Sequence, residues 1–369
     1  MLRDITPVRQ LARLYRAILS AAESLATLSA HSQQPAPASA PAPTPAPAPV
    51  VQYFDARPRL DANEAEIRRL STEVERLKTL TRHLRLQSAS MDNRPFLIEG
   101  NVPGFEPFAF EIHRAGDAYI STELEATGIW EPLETSVITR LSRPGDFVLD
   151  IGGNIGWYSV LLSKVLGPAG QIITFEPDPR NFAMLSRNLE RVRGGAIATP
   201  LQKAVSDAEG TLKLFLSPDN LGDHRIFSDG TERPTIEVPT ATLDAILADA
   251  SRLPDLVKSD AQGSEARIFR GAQGLFSKGW RPIFLMEFWP FGLTNSGDDP
   301  MWLWGQLAGM GYQMFELTEA RSTLLSIDEL RVRSEITDRL SPTSGSFINL
   351  VAIPSGSDRL TSIEDLVAR

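Results

Sequence analysis

Apolar residues at the start of the chain recur at alternating spacings of three and four. Leu11, Leu14, Ile18, Ala21, Leu25 and Leu28 fall on one stripe, which predicts a helix over residues 1–30. Such a stripe needs a partner to cover it. On residues 59–90, Leu60, Ile67, Leu70, Val74, Leu77 and Leu84 form a heptad seam interrupted by Asn63 and Thr81. Charged residues, Glu64, Glu66, Arg68, Arg69, Glu73, Glu75, Arg76 and Lys78, fill the other faces. Two readings stay open here: a short coiled coil that joins a second copy or a partner protein, and a single amphipathic helix lying on the globular body. Self-association is the one favoured, and a buried Asn63 would then fix register at some cost in stability. Between the two helices, in residues 31–58, the stretch Pro35–Pro49 holds seven Pro and six Ala in fifteen residues. Proline fixes φ and lacks the amide donor, so this is an extended, semi-rigid spacer.

From residue 91 to residue 369 the pattern is that of a globular domain. Short apolar runs predict strands at Phe108–Ile112 and Ala118–Ile120 and a helix at Trp130–Leu141. Further strand-like runs follow at 147–151, 171–176, 198–205, 256–260 and 282–287, most of them trailed by helical segments. This alternation implies an α/β fold, a mostly parallel sheet with helices on both faces. The runs at 211–216 and 235–238 read as an inserted hairpin, and those at 312–317 and 347–353 add two strands separated by a polar stretch.

Composition narrows the chemistry. The 369 residues include no cysteine, which excludes a disulfide framework, a thiolate nucleophile and a zinc site built from sulfur. Of the four histidines, His31, His83, His113 and His224, no two have the spacing of a helical ligand pair. The net charge of −9 divides into +4 on residues 1–90 and −13 on residues 91–369, which argues against a nucleic-acid partner. There is no apolar run of membrane-spanning length, and the N-terminal MLRDITPVRQ lacks the apolar core of a signal peptide. The expectation is a soluble, cytoplasmic protein without a transmembrane segment.

The sharpest motif is Asp150-Ile151-Gly152-Gly153-Asn154-Ile155-Gly156, directly after the apolar run Phe147-Val148-Leu149 and before a helix starting near Tyr158. Glycines between strand and helix let backbone approach a ligand closely. The dinucleotide pattern G-x-G-x-x-G does not fit, because its second glycine falls on Asn154 or Ile155. Acidic-x-Gly-x-small-x-Gly does fit, and places an acid where it can accept from the amino group of a cationic cofactor. Glu176, 26 residues beyond Asp150 and followed by Pro177, ends the next strand, where a carboxylate can take both hydroxyls of a ribose. Nicotinamide and S-adenosylmethionine enzymes share that device. A nicotinamide-dependent oxidoreductase therefore stays as an alternative, as does a non-catalytic interaction protein with an enzyme-like body.

Six segments, FVLDIGGNIGWYS, ITFEPDPRNFAMLSRNL, LQKAVSDAEGTLKLF, VPTATLDAIL, DLVKSDAQGSEARIFRGA and IFLMEF, carry a further signal. In order and spacing they resemble the FkbM-type S-adenosylmethionine-dependent methyltransferases, over about residues 105–352. The resemblance implies a Rossmann-like seven-stranded methyltransferase fold whose last strand runs antiparallel, and S-adenosyl-L-methionine as cofactor. Asp150, Gly152 and Gly156, with Gly153 and Asn154 between them, match the motif that cradles the methionine part. Glu176 matches the ribose-binding acid, and Ala204, Val205 and Ser206 match the loop that closes over the adenine. Family members often carry Ile-Asp or Val-Glu where this chain has Ser259-Asp260 and Ala261-Gln262.

Methyl transfer from a sulfonium asks the protein to align nucleophile and methyl carbon and, for a hydroxyl acceptor, to remove a proton. Groups able to do this sit at the carboxyl ends of the strands. Asp260 is the first candidate base. Lys258, two residues earlier on the same face, could pair with it or help bind a hydroxyl. Glu287, at the end of the following strand, is the second carboxylate; together with Asp260 it is too small a set to assign a metal. His224, in the insertion, is a base candidate if its loop folds over the site. Among the clustered aromatics, Trp289 and Phe291 just past a strand end could wall an acceptor pocket. The expected acceptor is a hydroxyl of a sugar, glycan or natural-product precursor.

Overall fold

The run Phe147–Ile151, buried at every position, lies inside an eight-stranded sheet in the computed structural model. The structure describes residues 95–368 apart from Ala115, together with the helical residue Arg69. The expected helices over 1–30 and 59–90 and the Pro/Ala spacer thus lie, Arg69 aside, outside the described residues.

In chain order the strands are β1 (Leu97–Gly100), β2 (Phe108–Glu111), β3 (Phe147–Ile151), β4 (Gln171–Phe175), β5 (Ile197–Leu201), β6 (Ala204–Val205) and β7 (Gly210–Phe215). They continue as β8 (Thr235–Ala241), β9 (Leu256–Ser259), β10 (Ile283–Phe288), β11 (Tyr312–Thr318), β12 (Thr323–Ser326) and β13 (Ile348–Pro354). The helices that build the site are α1 (Ile120–Thr127), α2 (Pro132–Leu141), α3 (Trp157–Leu166) and α4 (Pro179–Glu190).

The main sheet runs β12-β11-β13-β10-β9-β3-β4-β5. Strands β5, β4, β3, β9 and β10 are mutually parallel, and β13 is antiparallel to both neighbours, β10 and β11. This is the Rossmann-like methyltransferase order with its antiparallel last strand, enlarged by one edge strand. That strand, β12, arises within the stretch read from sequence as merely polar: the chain turns back through Ser322 at φ +50°, pairs antiparallel with β11, and buries Leu324 completely.

Three local expectations change. The segment 118–120 is not a strand: Asp117 accepts from the backbone N–H groups of Tyr119 and Ser121, and this local capping starts α1 at Ile120. The run expected over 198–205 splits, with β5 in the main sheet and β6 parallel to β8 in a separate sheet ordered β6-β8-β7. The inserted hairpin is thereby the larger part of a three-stranded sheet.

Burial follows the two-residue period of a strand. Phe147, Leu149 and Ile151 of β3 join one hydrophobic cluster with Trp304 and Phe288, while Val148 joins the other with Val137, Ile138 and Leu141 of α2 and Leu161 of α3. Helix α4 starts on Asp178, whose carboxylate accepts from the N–H of Arg180 and Asn181, with Pro179 in the first helical position. This cap puts the N-terminus of α4 at the carboxyl edge of the sheet, just beyond β4. Leu149 is fully buried at the sheet's centre, so Leu149→Ala should lower stability by about 3 kcal/mol, read as a lower urea midpoint with unchanged m-value.

Candidate active site

Beyond β3 the chain turns through Gly152 at φ +79° and reaches α3 behind Gly156 at φ +90°. The Cβ that two of these glycines lack would meet protein: on Gly152 it would lie 2.0 Å from the Asp260 carbonyl oxygen, and on Gly153 2.3 Å from Thr174 Cγ2. The loop is pressed against the segment that follows β9, which sets Asp260 beside it. Asn154 holds φ +49°, donates its backbone N–H to Glu176 Oε2 at 2.8 Å, and donates its side-chain amide to the Leu221 carbonyl at 2.9 Å.

Asp150, only 1% exposed, accepts at Oδ2 from Ser159 Oγ at 2.5 Å, while its Oδ1 has no hydrogen-bond partner among the described residues. Burial raises its pKa. Glu176 accepts at Oε1 from the Asp178 N–H and at Oε2 from the Asn154 N–H, so it ties the glycine loop to the start of α4. Its burial pushes it up to about 8, against those two hydrogen bonds. Pro177, part-buried, leads into the Asp178 cap. Ala204, Val205 and Ser206 are held in the small sheet: β6 pairs with Thr240 and Ala241, and the Ser206 carbonyl lies where a Cβ on Gly271 would be 2.1 Å away. No hydrogen bond among the described residues joins these three to the glycine loop.

Asp150 of β3 and Lys258 of β9 are register partners, so their side chains share one face. Lys258, 4% exposed, puts Nζ 3.3 Å from Glu134 Oε1 and 3.6 Å from Asp260 Oδ2, and 4.6 Å from the centroid of the Tyr158 ring. Burial opposes its charge, but Glu134, Asp260, Glu131 and Asp150 outweigh it and raise its pKa. The Asp260 side chain is 37% exposed, and its Oδ1 accepts from Gln262 Nε2 at 2.7 Å. The turn carrying it is pinned by Glu265, whose carboxylate accepts from the Ala261 and Gly263 N–H groups. Glu287 is buried with Oε2 unpartnered among the described residues, and burial with the nearby Asp260 and Glu265 charges drives its pKa up.

His224 lies elsewhere. Its Nδ1 accepts from the Ser217 N–H at 3.1 Å and its Nε2 is 3.7 Å from Asp178 Oδ2, beside the start of α4 rather than at the Lys258–Asp260 pair. Burial lowers it to about 4, which leaves it neutral and a weak base. Its loop does fold over the glycine turn, because the Leu221 carbonyl accepts from both Asn154 and Asn181. Trp289 is buried, donates to the Gly345 carbonyl, and packs with Phe291 and Phe227 under the Arg225 guanidinium, 4.8 Å from its ring.

Three members of the cluster escape a sequence reading. Glu131 and Glu134 bracket the first turn of α2, and Tyr158 donates its hydroxyl to Glu131 Oε2 at 2.7 Å. Burial raises the pKa of both glutamates, their mutual charge adding to it for Glu131. The one available signal was Glu131-Pro132-Leu133-Glu134, an acidic pair around a helix-starting proline.

Residues 150–314 match the family model of the methyltransferase FkbM domain. This stretch is an FkbM methyltransferase domain. Among curated relatives, the hexuronic acid methyltransferase AglP of Haloferax volcanii is 27% identical over 128 residues, 34% of this chain and 49% of that protein. The chain thus spans about half that relative's length. The 2-O-methyltransferase NoeI of Sinorhizobium fredii is 28% identical over 178 residues, 42% of this chain and 70% of that protein. Among solved structures, fibrillarin of Aeropyrum pernix overlaps with a TM-score of 0.32 at 14% identity, covering 60% of this chain and 74% of that one. The FkbM assignment displaces the nicotinamide alternative.

The cofactor of an FkbM methyltransferase domain is S-adenosyl-L-methionine, and the residues at the carboxyl edge suit a cationic, ribose-bearing molecule. Asp150 has an unpartnered carboxylate oxygen, and Glu176 stands at the end of β4. Among the described residues no group of three or more His, Cys, Asp or Glu is disposed to hold a metal ion, and no helix is long and apolar enough to cross a membrane.

Glu176 and Glu265, the latter raised by burial to about 7, keep protons in the folded chain at pH values where an unfolded glutamate, near 4.5, has lost them. Folded-state proton binding then exceeds unfolded, so stability from these groups is full below about pH 4.5 and is lost as pH rises through about 8. Glu176→Gln should flatten part of that decline, measured as urea midpoints across the same range.

Proposed function

We propose that this chain transfers the methyl group of S-adenosylmethionine to a hydroxyl of a sugar, glycan or natural-product precursor. The observation that carries the reading is the placement of the Asp260 carboxylate. It is half-open to solvent, held by Gln262 on one oxygen and by Lys258 on the other, and its backbone abuts Gly152 of the glycine turn. The names of two relatives, a hexuronic acid methyltransferase and a 2-O-methyltransferase, support a sugar hydroxyl as acceptor.

Bound S-adenosylmethionine supplies an electrophilic methyl on a sulfonium that leaves as a neutral thioether. In this reading Asp150 accepts from the cofactor's amino group and Glu176 takes its ribose hydroxyls. Asp260 accepts the acceptor's hydroxyl proton as the new carbon–oxygen bond forms, and orients that oxygen beforehand. Lys258 stays charged. It fixes Asp260 and offsets the negative charge that develops on the acceptor oxygen. Glu287 lies on the same edge with one oxygen unpartnered among the described residues, where it can hydrogen-bond to the substrate. Trp289 and Phe291 give an apolar face against which a sugar ring can lie. His224 clamps the insertion rather than acting as base.

Asp260→Asn keeps the shape and the Gln262 contact while removing the base. It should lower kcat/KM for methyl transfer to a sugar acceptor by a factor on the order of 10² or more. Calorimetry should show S-adenosylhomocysteine binding within about twofold of wild type, since tenfold would need 1.4 kcal/mol. Full activity in Asp260→Asn would remove Asp260 from the reaction. A wild type inactive on every glycoside, glycan extract and hydroxylated natural product tried would favour the non-catalytic reading.

A further inference from the structure

Helix α2 begins in an unusual way. Glu131 occupies its N-cap position with φ +41° and ψ +73°, a left-handed conformation that costs a non-glycine residue about 1–2 kcal/mol. A residue at this position ordinarily caps the helix, and Glu131 makes no such side-chain bond. Glu319, which follows β11, does it instead. Its Oε1 accepts from the N–H of Leu133 at 3.0 Å and of Glu134 at 3.1 Å. The strained turn therefore serves to aim the Glu131 carboxyl away from the helix end.

Its target is the Lys258 cluster. Oε2 accepts from Tyr158, whose ring carries the Lys258 ammonium, and Lys258 in turn holds Asp260. The second Glu131 oxygen has no hydrogen bond among the described residues, and the residue is half-buried rather than sealed. Glu287, buried with an unpartnered oxygen, interacts with the same charges. Two carboxyl groups, Asp260 and Glu131, thus flank one Lys–Tyr unit; the Asp260 side chain is 37% exposed, and Glu131 is half-buried with one oxygen unpartnered among the described residues.

We propose that Glu131 binds a second hydroxyl of the acceptor, adjacent to the one held by Asp260, so that the site selects vicinal diols such as those of a hexopyranoside. This deepens the acceptor reading and rests on it. A site built to hydrogen-bond a hydroxyl discriminates strongly against the analogue that lacks it, because its polar group is then left unpaired. A lone alcohol would engage Asp260 alone.

The test uses methyl glucopyranoside, methyl glucuronopyranoside and the monodeoxy methyl glucopyranosides as acceptors, with the full-length wild type, Glu131→Gly and Glu131→Gln. Glycine adopts the φ +41° backbone without strain, which offsets the loss of the Tyr158 hydrogen bond, so Glu131→Gly should fold with a thermal midpoint within a few degrees of wild type. In wild type, removing one hydroxyl should abolish transfer, and removing its neighbour should lower kcat/KM by at least about tenfold. In Glu131→Gly that neighbour effect should shrink to within about twofold, and Glu131→Gln, which keeps a hydrogen-bonding group, should fall between. A neighbour effect absent from wild type, or undiminished in Glu131→Gly, overturns the proposal and leaves the acceptor reading standing. A wild type that binds S-adenosylhomocysteine but methylates none of these glycosides overturns both.

Discussion

The arrangement at the carboxyl edge depends on one buried ammonium. Lys258 sits in register with Asp150 on the neighbouring strand and against Glu134 from α2, Asp260 from the turn after β9, and the Tyr158 ring from α3. A charge this deep is costly unless paired. Here each partner comes from a different element, so satisfying the ammonium aligns α2, α3, β3 and β9 with one another. The surplus of acid around a single cation has a second consequence. Burial raises the pKa of Glu131, Glu134 and Glu287, while the Lys258 charge pulls each of them back down.

The strands of the main sheet are legible in the sequence because a central parallel strand is buried on both faces and reads as a continuous apolar run, as in Phe147–Ile151 and Ile283–Phe288. Asp150, Glu176, Asp260 and Glu287 are legible as strand-end acids for the same reason: topology places strand ends together. Where the reading failed, a tertiary or side-chain interaction overrode the local pattern. Asp117 turned 118–120 into a helix start, and β12 exists only because β11 offers it an edge. Glu131, Glu134 and Tyr158 stayed hidden because what gives them meaning is Lys258, a hundred or more positions away. The Glu319 cap on α2 spans 186 residues. No local spacing encodes such a contact.

The insertion after β7 shows how an addition to the common sheet can take part in the site from outside. Leu221 takes hydrogen bonds from Asn154 in the glycine turn and from Asn181 in α4, and the Ala118 N–H donates to the Asp219 carbonyl. A few residues on, Arg225 lies over Trp289, which follows β10, and an ion-pair square of Arg225, Arg233, Asp223 and Asp229 stiffens the segment between. One stretch of chain therefore touches the turn after β3, the helix after β4 and the aromatic wall after β10. His224, neutral and buried at its centre, hydrogen-bonds within the insertion and packs toward Asp178, so it braces this span. A change in the length or charge of the insertion then acts on both, because hydrogen bonds to Leu221 hold the glycine turn while Arg225 and Phe227 of the same stretch pack on the aromatic wall.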